Sequence, residues 1–116
     1  MTNAAPDFHV STTTVGSQTT VIVEGEVDLA TAPLLRDRLD SVIDETTTDI
    51  AVDLSQVRFL DSTGLSVLVA AHQRSAESGH ALHVVRASLF VRRVFRVSGL
   101  TQFLDGSQTA LSTTED

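Results

Sequence analysis

At 116 residues the chain has the length of one domain, able to bury about two-thirds of the surface its unfolded form exposes. With no cysteine, disulfides, thiolate nucleophiles and cysteine-bound zinc or iron–sulfur clusters are excluded. Fifteen acidic against eight basic residues give a formal charge of −7, which repels phosphate backbones, and all eight basic residues are arginine.

The missing lysine removes the P-loop cation, Schiff-base chemistry and lysine general bases. Without Trp or Tyr there is little basis for base stacking, so no direct nucleic-acid partner is expected. No apolar run approaches the roughly 18 residues of a membrane span. Residues Met1 to Asp7 lack the basic start and apolar stretch of a signal peptide, and a cytoplasmic protein with no membrane association is expected.

Phe8 to Val15 and Thr19 to Glu24 are rich in Val, Ile and Thr, with Gly16-Ser17-Gln18 between them, which predicts an antiparallel hairpin. A first helix begins near Ala30 or Thr31, with Pro33 in the first turn, where its missing N–H costs nothing. Leu34, Leu35, Leu39, Val42 and Ile43 recur at helical spacing and predict its buried face; Asp44 to Thr48 end it. Ile50, Val52 and Leu54 alternate with Ala51 and Asp53 as a third strand. The connection Ser55 to Asp61 carries Val57, Phe59 and Leu60 and is expected to pack inward.

From Ser62 to about Ser78 the spacing is helical again, with Leu65, Leu68, Val69, His72 and Ala76 on one face and Gly79 as the stop. Leu82, Val84 and Val85 predict a short strand, and Ser88 to Val97 a helix ended by Ser98-Gly99. Thr101 to Leu104 reads as a last short strand and Ser107 to Leu111 as a turn of helix. The alternation predicts one α/β domain over 1–116, its core about 8–111, with 1–7 and 112–116 frayed. The sheet is expected to be mixed and four- to five-stranded, with an N-terminal antiparallel hairpin and the rest largely parallel, packed with about four helices. Right-handed crossovers put the loops after strands two and three, holding Asp28 and Asp61-Ser62, at one sheet edge, where α/β folds place their sites.

Asp61-Ser62-Thr63-Gly64-Leu65 marks the passage from loop to helix. Two readings of Ser62 stand side by side. As an N-cap, its hydroxyl accepts from first-turn amides, worth about 1 kcal/mol. As a phosphoacceptor, it would place a phosphate by the positive end of the helix, while Gly64 leaves room for a second protein's active site. The neighbouring Asp61 carboxylate would repel that phosphate, whose charge is about −1.5 to −2, so modification would disfavour an acidic or apolar partner.

Three stretches carry a family resemblance. Gly25-Glu26-Val27-Asp28 with Thr31-Ala32, Val52-Asp53-Leu54-Ser55 through Phe59-Leu60-Asp61-Ser62-Thr63-Gly64-Leu65, and Val94-Phe95-Arg96-Val97-Ser98-Gly99-Leu100 resemble, in order and spacing, the STAS-domain anti-sigma-factor antagonists. The resemblance spans about residues 8 to 111. It implies a STAS-like fold and a bacterial partner switch that is not itself an enzyme and uses no cofactor. The unmodified antagonist would bind an anti-sigma factor with serine kinase activity and free a sigma factor. Phosphorylation would release it and a PP2C-type phosphatase would restore it, the free protein being a monomer. Carried over by position, Ser62 is the acceptor, with Thr63 a second hydroxyl beside it, and Asp28, Asp61, Ser62, Thr63 and Gly64 form the partner-binding surface.

Two other classes compete: a receiver-type domain that phosphorylates its own aspartate, which the absence of lysine opposes, and a STAS scaffold or ligand-binding domain that is never phosphorylated. Asp53 with Asp61 is a candidate Mg²⁺ pair, against Asp53 as a solvent-facing strand residue. His80 and His83 lack a third metal ligand nearby in sequence, His72 reads as a core-edge histidine, and no metal is expected. Arg92, Arg93 and Arg96 form either a docking stripe or a solvated helix end.

Overall fold

The computed structural model describes residues 7–104. Four strands, β1 (Phe8–Val15), β2 (Gln18–Val27), β3 (Asp49–Leu60) and β4 (Leu82–Ala87), form one sheet in the order β1-β2-β3-β4. The β1–β2 hairpin is antiparallel, and β2–β3 and β3–β4 are parallel, as the pattern predicts. Helices α1 (Ala32–Glu45) and α2 (Ser62–Glu77) make the two crossovers, and α3 (Leu89–Val97) follows β4. Among the described residues there are three α-helices; the turn of helix expected at Ser107–Leu111 lies outside them.

One core holds the fold together. Val21, Val23 and Val27 of β2, Val52, Leu54 and Val57 of β3, and Leu35 and Leu39 of α1 are each at most 1 % exposed. On α3, Val91 and Phe95 are buried, and Phe95 meets Leu68, Val69 and His72 of α2 around a small apolar gap against Leu82 and Val84. Burying such side chains contributes about 1.5–3 kcal/mol each.

β3 runs on to Leu60, through the stretch expected to be a connection. Its buried residues fall at Leu54, Val57 and Leu60, three apart, because the pairing with β2 shifts register between Ile22 and Glu24 and again between Gly25 and Glu26. A bulged strand loses the two-residue period by which strands are recognised. Phe59, expected to pack inward, is 40 % exposed as a result of this twist in the strand.

Smaller corrections have equally local causes. Leu34 lies off the α1 stripe centred on Leu35, Leu39, Val42 and Ile43 and is half exposed. On α2 it is Ser75, not Ala76, that is fully buried, its hydroxyl donating to the His80 carbonyl at 3.2 Å. Thr101–Phe103 forms a 3₁₀ turn rather than a strand; a single parallel bridge joins Leu104 to Val84. Asp7, expected to fray, is tied down: its carbonyl accepts from Glu26 N at 2.9 Å and its carboxylate pairs with Arg58. Gly25 makes this closure possible, because at φ +101° a side chain there would run into the Asp7 carbonyl.

Candidate functional site

β2 and β3 are parallel neighbours, so both strand-to-helix transitions emerge at the same sheet edge. Val27 pairs with Leu60, and Asp61 N donates to the Val27 carbonyl at 3.2 Å, which brings Asp28 and Asp61 side by side. Two aspartates thus follow the ends of adjacent strands, Asp61 as the N-cap of α2 and Asp28 three residues before Thr31, the N-cap of α1.

Each carboxylate folds its own chain. Asp28 Oδ1 accepts from Ala30 N at 3.0 Å and from Thr31 N at 3.1 Å. The Thr31 hydroxyl, in a residue only 3 % exposed, donates to the Glu26 carbonyl at 2.8 Å and accepts from Asp28 N at 2.9 Å. The sequence marked Thr31 as a helix start; its hydroxyl in fact ties the strand end to that start.

Asp61 is the N-cap of α2. Its Oδ1 accepts from Thr63 N at 3.0 Å, Thr63 Oγ1 at 2.5 Å and Gly64 N at 3.3 Å. The capping role expected for Ser62 belongs to Asp61, and Ser62 is the first helical residue. The Thr63 hydroxyl is the chief cause holding the Asp61 carboxyl below its ordinary range; partial burial opposes it, and the amides of Gly64 and Thr63 reinforce it. Asp61 is therefore ionised at neutral pH, and its negative charge already meets the positive end of α2.

The two hydroxyls differ. Ser62 is exposed, and among the described residues its hydroxyl has no hydrogen-bond partner, whereas Thr63 is half-buried and committed to Asp61. Gly64 is buried, and a Cβ there would lie 2.5 Å from Val27 Cγ1 and 2.6 Å from Leu60 Cδ1. The space its missing side chain leaves is on the core side, where it seats α2 against β2 and β3, rather than beside the Ser62 hydroxyl as expected.

Beside Ser62, Leu29 is 75 % exposed and lines the same groove. Phe59, near the end of β3, and Phe90, in the first turn of α3, stack with ring centroids 5.9 Å apart. Sequence reasoning missed Leu29 and Phe90; a large apolar residue flanking a charged turn is the signal that was there to read. A groove of about 370 Å³ opens between α1 and α2, with Leu29, Pro33 and Arg36 on one side and Ser62, Ser66 and Val67 on the other.

The remaining candidates lie apart from this edge. Asp53 Oδ1 accepts from Ser55 N at 2.9 Å and its hydroxyl at 2.6 Å. Along an extended strand it stands on the order of 25 Å from Asp61, so the two carboxylates do not form a pair. His72 is half-buried with Nδ1 2.8 Å from the Leu82 carbonyl and its ring edge-on to Phe103, the core-edge position expected. Among the described residues no three His, Asp or Glu side chains are grouped to hold a metal ion, and no helix is long and apolar enough to cross a membrane. Arg93 and Arg96 of α3 are exposed and Arg92 is half-buried.

Comparison with known proteins agrees with this architecture. The family model described as "Mlab, STAS domain" matches residues 10–105. An anti-sigma-B factor antagonist of Staphylococcus aureus (strain NCTC 8325) is 31 % identical over 98 residues, covering 84 % of this chain and 91 % of that protein. The crystal structure of an anti-sigma factor antagonist from Mycobacterium paratuberculosis is similar at a TM-score of 0.77 and 28 % identity, covering 98 % of this chain and all of the other. The Bacillus cell fate determinant SpoIIAA, solved in its phosphorylated form, shares the fold at a TM-score of 0.65 and 18 % identity, with 91 % of this chain and 99 % of that one covered. Sequence, strand order and these matches agree: the chain belongs to the STAS domain family.

Proposed function

We propose that this protein is an anti-sigma factor antagonist whose partner is an anti-sigma factor with serine kinase activity, and that phosphorylation of Ser62 ends their association. The observation that carries the reading is the exposed, unengaged Ser62 hydroxyl at the first helical position, beside a groove lined by apolar Leu29, Pro33 and Val67. The names of the relatives support the antagonist role, and SpoIIAA, which shares the fold, was solved in a phosphorylated form.

The transfer needs little from this chain. The Ser62 oxygen attacks the γ-phosphorus of ATP; the O–P ester forms, the bond to the β-phosphate oxygen breaks, ADP leaves and the hydroxyl proton is lost. Phosphoryl transfer is dominated by positioning and charge stabilisation, which the partner supplies, so the chain serves as substrate and not as enzyme. What this chain contributes is a hydroxyl on a rigid platform. Asp61 caps α2 whether or not Ser62 is modified, so the helix start survives modification. A PP2C-type phosphatase restores the hydroxyl by adding water across the ester.

Release follows from charge. The phosphate adds about −1.5 to −2 beside ionised Asp61, in a chain of net −7, at an apolar contact surface. Desolvating it on docking is costly, and no rearrangement of the fold is required.

The test pairs two variants with the cognate anti-sigma factor. Ser62→Ala should bind it undiminished yet take up no phosphate from ATP and Mg²⁺, read by intact mass. Ser62→Asp should bind about tenfold or more weakly by calorimetry. Labelling of Ser62→Ala at the parent rate sinks Ser62 as the acceptor, and undiminished binding of Ser62→Asp sinks electrostatic release.

A further inference from the structure

The α1–α2 groove contains a feature that docking and phosphate transfer leave unused. Its lining from α1 and the preceding turn, Leu29, Pro33 and Arg36, recurs at helical spacing, as does that from α2, Ser62, Ser66 and Val67. Arg36 is the one charged side chain lining this groove. It is exposed and makes no ion pair among the described residues, whereas Arg58 pairs with Asp7 and Glu26. The carboxylate four residues along its own helix, Asp40, is engaged by Arg74 of α2. Arg36 thus has no anionic partner on its own helix or in the groove.

A phosphate on Ser62 needs a counter-charge, and the donors of the two residues that follow it on α2 are taken. Asp61 already occupies the Thr63 amide, the Thr63 hydroxyl and the Gly64 amide. Guanidinium meets phosphate with two parallel N–H···O bonds, a charge-assisted geometry that lysine cannot reproduce.

Resting on the reading of Ser62 as phosphoacceptor, we infer that Arg36 is the intramolecular receptor for that phosphate, and that the pair bridges α1 and α2 across the groove. Phosphorylation then does two things: it adds charge at the rim, and it draws an arginine over the apolar floor formed by Leu29, Pro33 and Val67. The phosphorylated chain carries its own occupant for the surface the partner would use.

The experiment needs no kinase. Phosphoserine is incorporated at position 62 of the full chain by codon reassignment, and the phosphate is titrated by ³¹P NMR in the parent, Arg36→Gln, Arg36→Lys and Arg38→Gln backgrounds. Arg38 is a second exposed cation of α1 that lines a different groove, beside Phe8 and Val10, and so controls for loss of a charge outside the Ser62 groove. Arg36→Gln should raise the titration midpoint by about half a pH unit or more, Arg36→Lys by less, and Arg38→Gln hardly at all. In the parent, the Arg36 Nε–H resonance should shift on phosphorylation. Equal shifts from Arg36→Gln and Arg38→Gln, or an Arg36 resonance indifferent to the phosphate, would overturn the pairing while leaving Ser62 a valid acceptor. Failure of the kinase to label Ser62 would sink the acceptor reading without touching this titration.

Discussion

Replacing Gly64 by alanine tests whether α2 is seated by packing. In a helix this substitution ordinarily stabilises by up to about 1 kcal/mol, since alanine restricts the unfolded chain and glycine is the poorer helix former. Here the new Cβ would meet Val27 Cγ1 at 2.5 Å, Leu60 Cδ1 at 2.6 Å and Val27 Cβ at 3.2 Å. Val27 is fully buried and Leu60 is 2 % exposed, so neither has open space to enter. Valine is stiff about χ1, which leaves the strain to be shared between the helix start and β2. Overpacking costs about 1–3 kcal/mol, and set against a propensity gain of about 1 kcal/mol it leaves a net loss of up to about 2 kcal/mol. With a urea m-value near 2 kcal/mol/M, the unfolding midpoint should fall by up to about 1 M. Val27→Ala should cost about 1 kcal/mol less in the Gly64→Ala background than in the parent, a favourable coupling read from a double-mutant cycle. If Gly64→Ala alone raised the midpoint, the packing argument would be wrong and the glycine would have to be explained by access to Ser62.

Two further substitutions probe the cap. Asp61→Ala should cost about 1 kcal/mol at pH 7, because two amides lose their acceptor. The parent carboxyl is depressed in the folded state, so its contribution is present above the unfolded value of about 3.9 and is lost as pH falls through the lower folded value. The stability difference between parent and variant should therefore be flat above about pH 5 and shrink below about pH 4, followed by thermal melts across pH. A gap that widened on acidification would contradict the assignment. Thr63→Val keeps the shape but removes the hydroxyl that chiefly lowers Asp61; the Asp61 carboxyl should titrate higher by ¹³C NMR, and an unchanged midpoint would show the amides alone suffice.

The parts of the fold that could be read in advance are those in which one local period holds. β1 has its expected limits, α1 and α2 begin within a residue or two of them, and the mixed sheet follows from a hairpin feeding strand–helix–strand repeats. The site was legible for a related reason: Asp28 and Asp61 each stand where strand chemistry gives way to helix chemistry, and parallel neighbours must emerge together. Residues 55 to 60 were not legible, because two register shifts replace the alternation of β3 with a three-residue spacing that no single-strand pattern describes. Thr101 to Leu104 was misread as a strand because β-branched and aromatic composition says nothing of whether an edge is there to pair with.

Asp61, Ser62 and Thr63 divide their labour in a way three adjacent polar residues do not announce. Any of them can cap a helix, and the sequence left Ser62 as both cap and acceptor. Sequence alone determined the class of the chain, the placement of an acidic, hydroxyl-bearing turn at the mouth of a helix, and the exclusion of lysine and cysteine chemistry, since all of these depend on residue type and order. Only the tertiary structure decided which oxygen points inward. Whether a side chain accepts from the first-turn amides or faces solvent is set by the backbone angle at which β3 enters α2, and the packing of Gly64 on Val27 and Leu60 sets that angle. The same packing lays α1 beside α2 and brings Arg36 into the groove of Ser62, a proximity across twenty-six positions that no local pattern encodes.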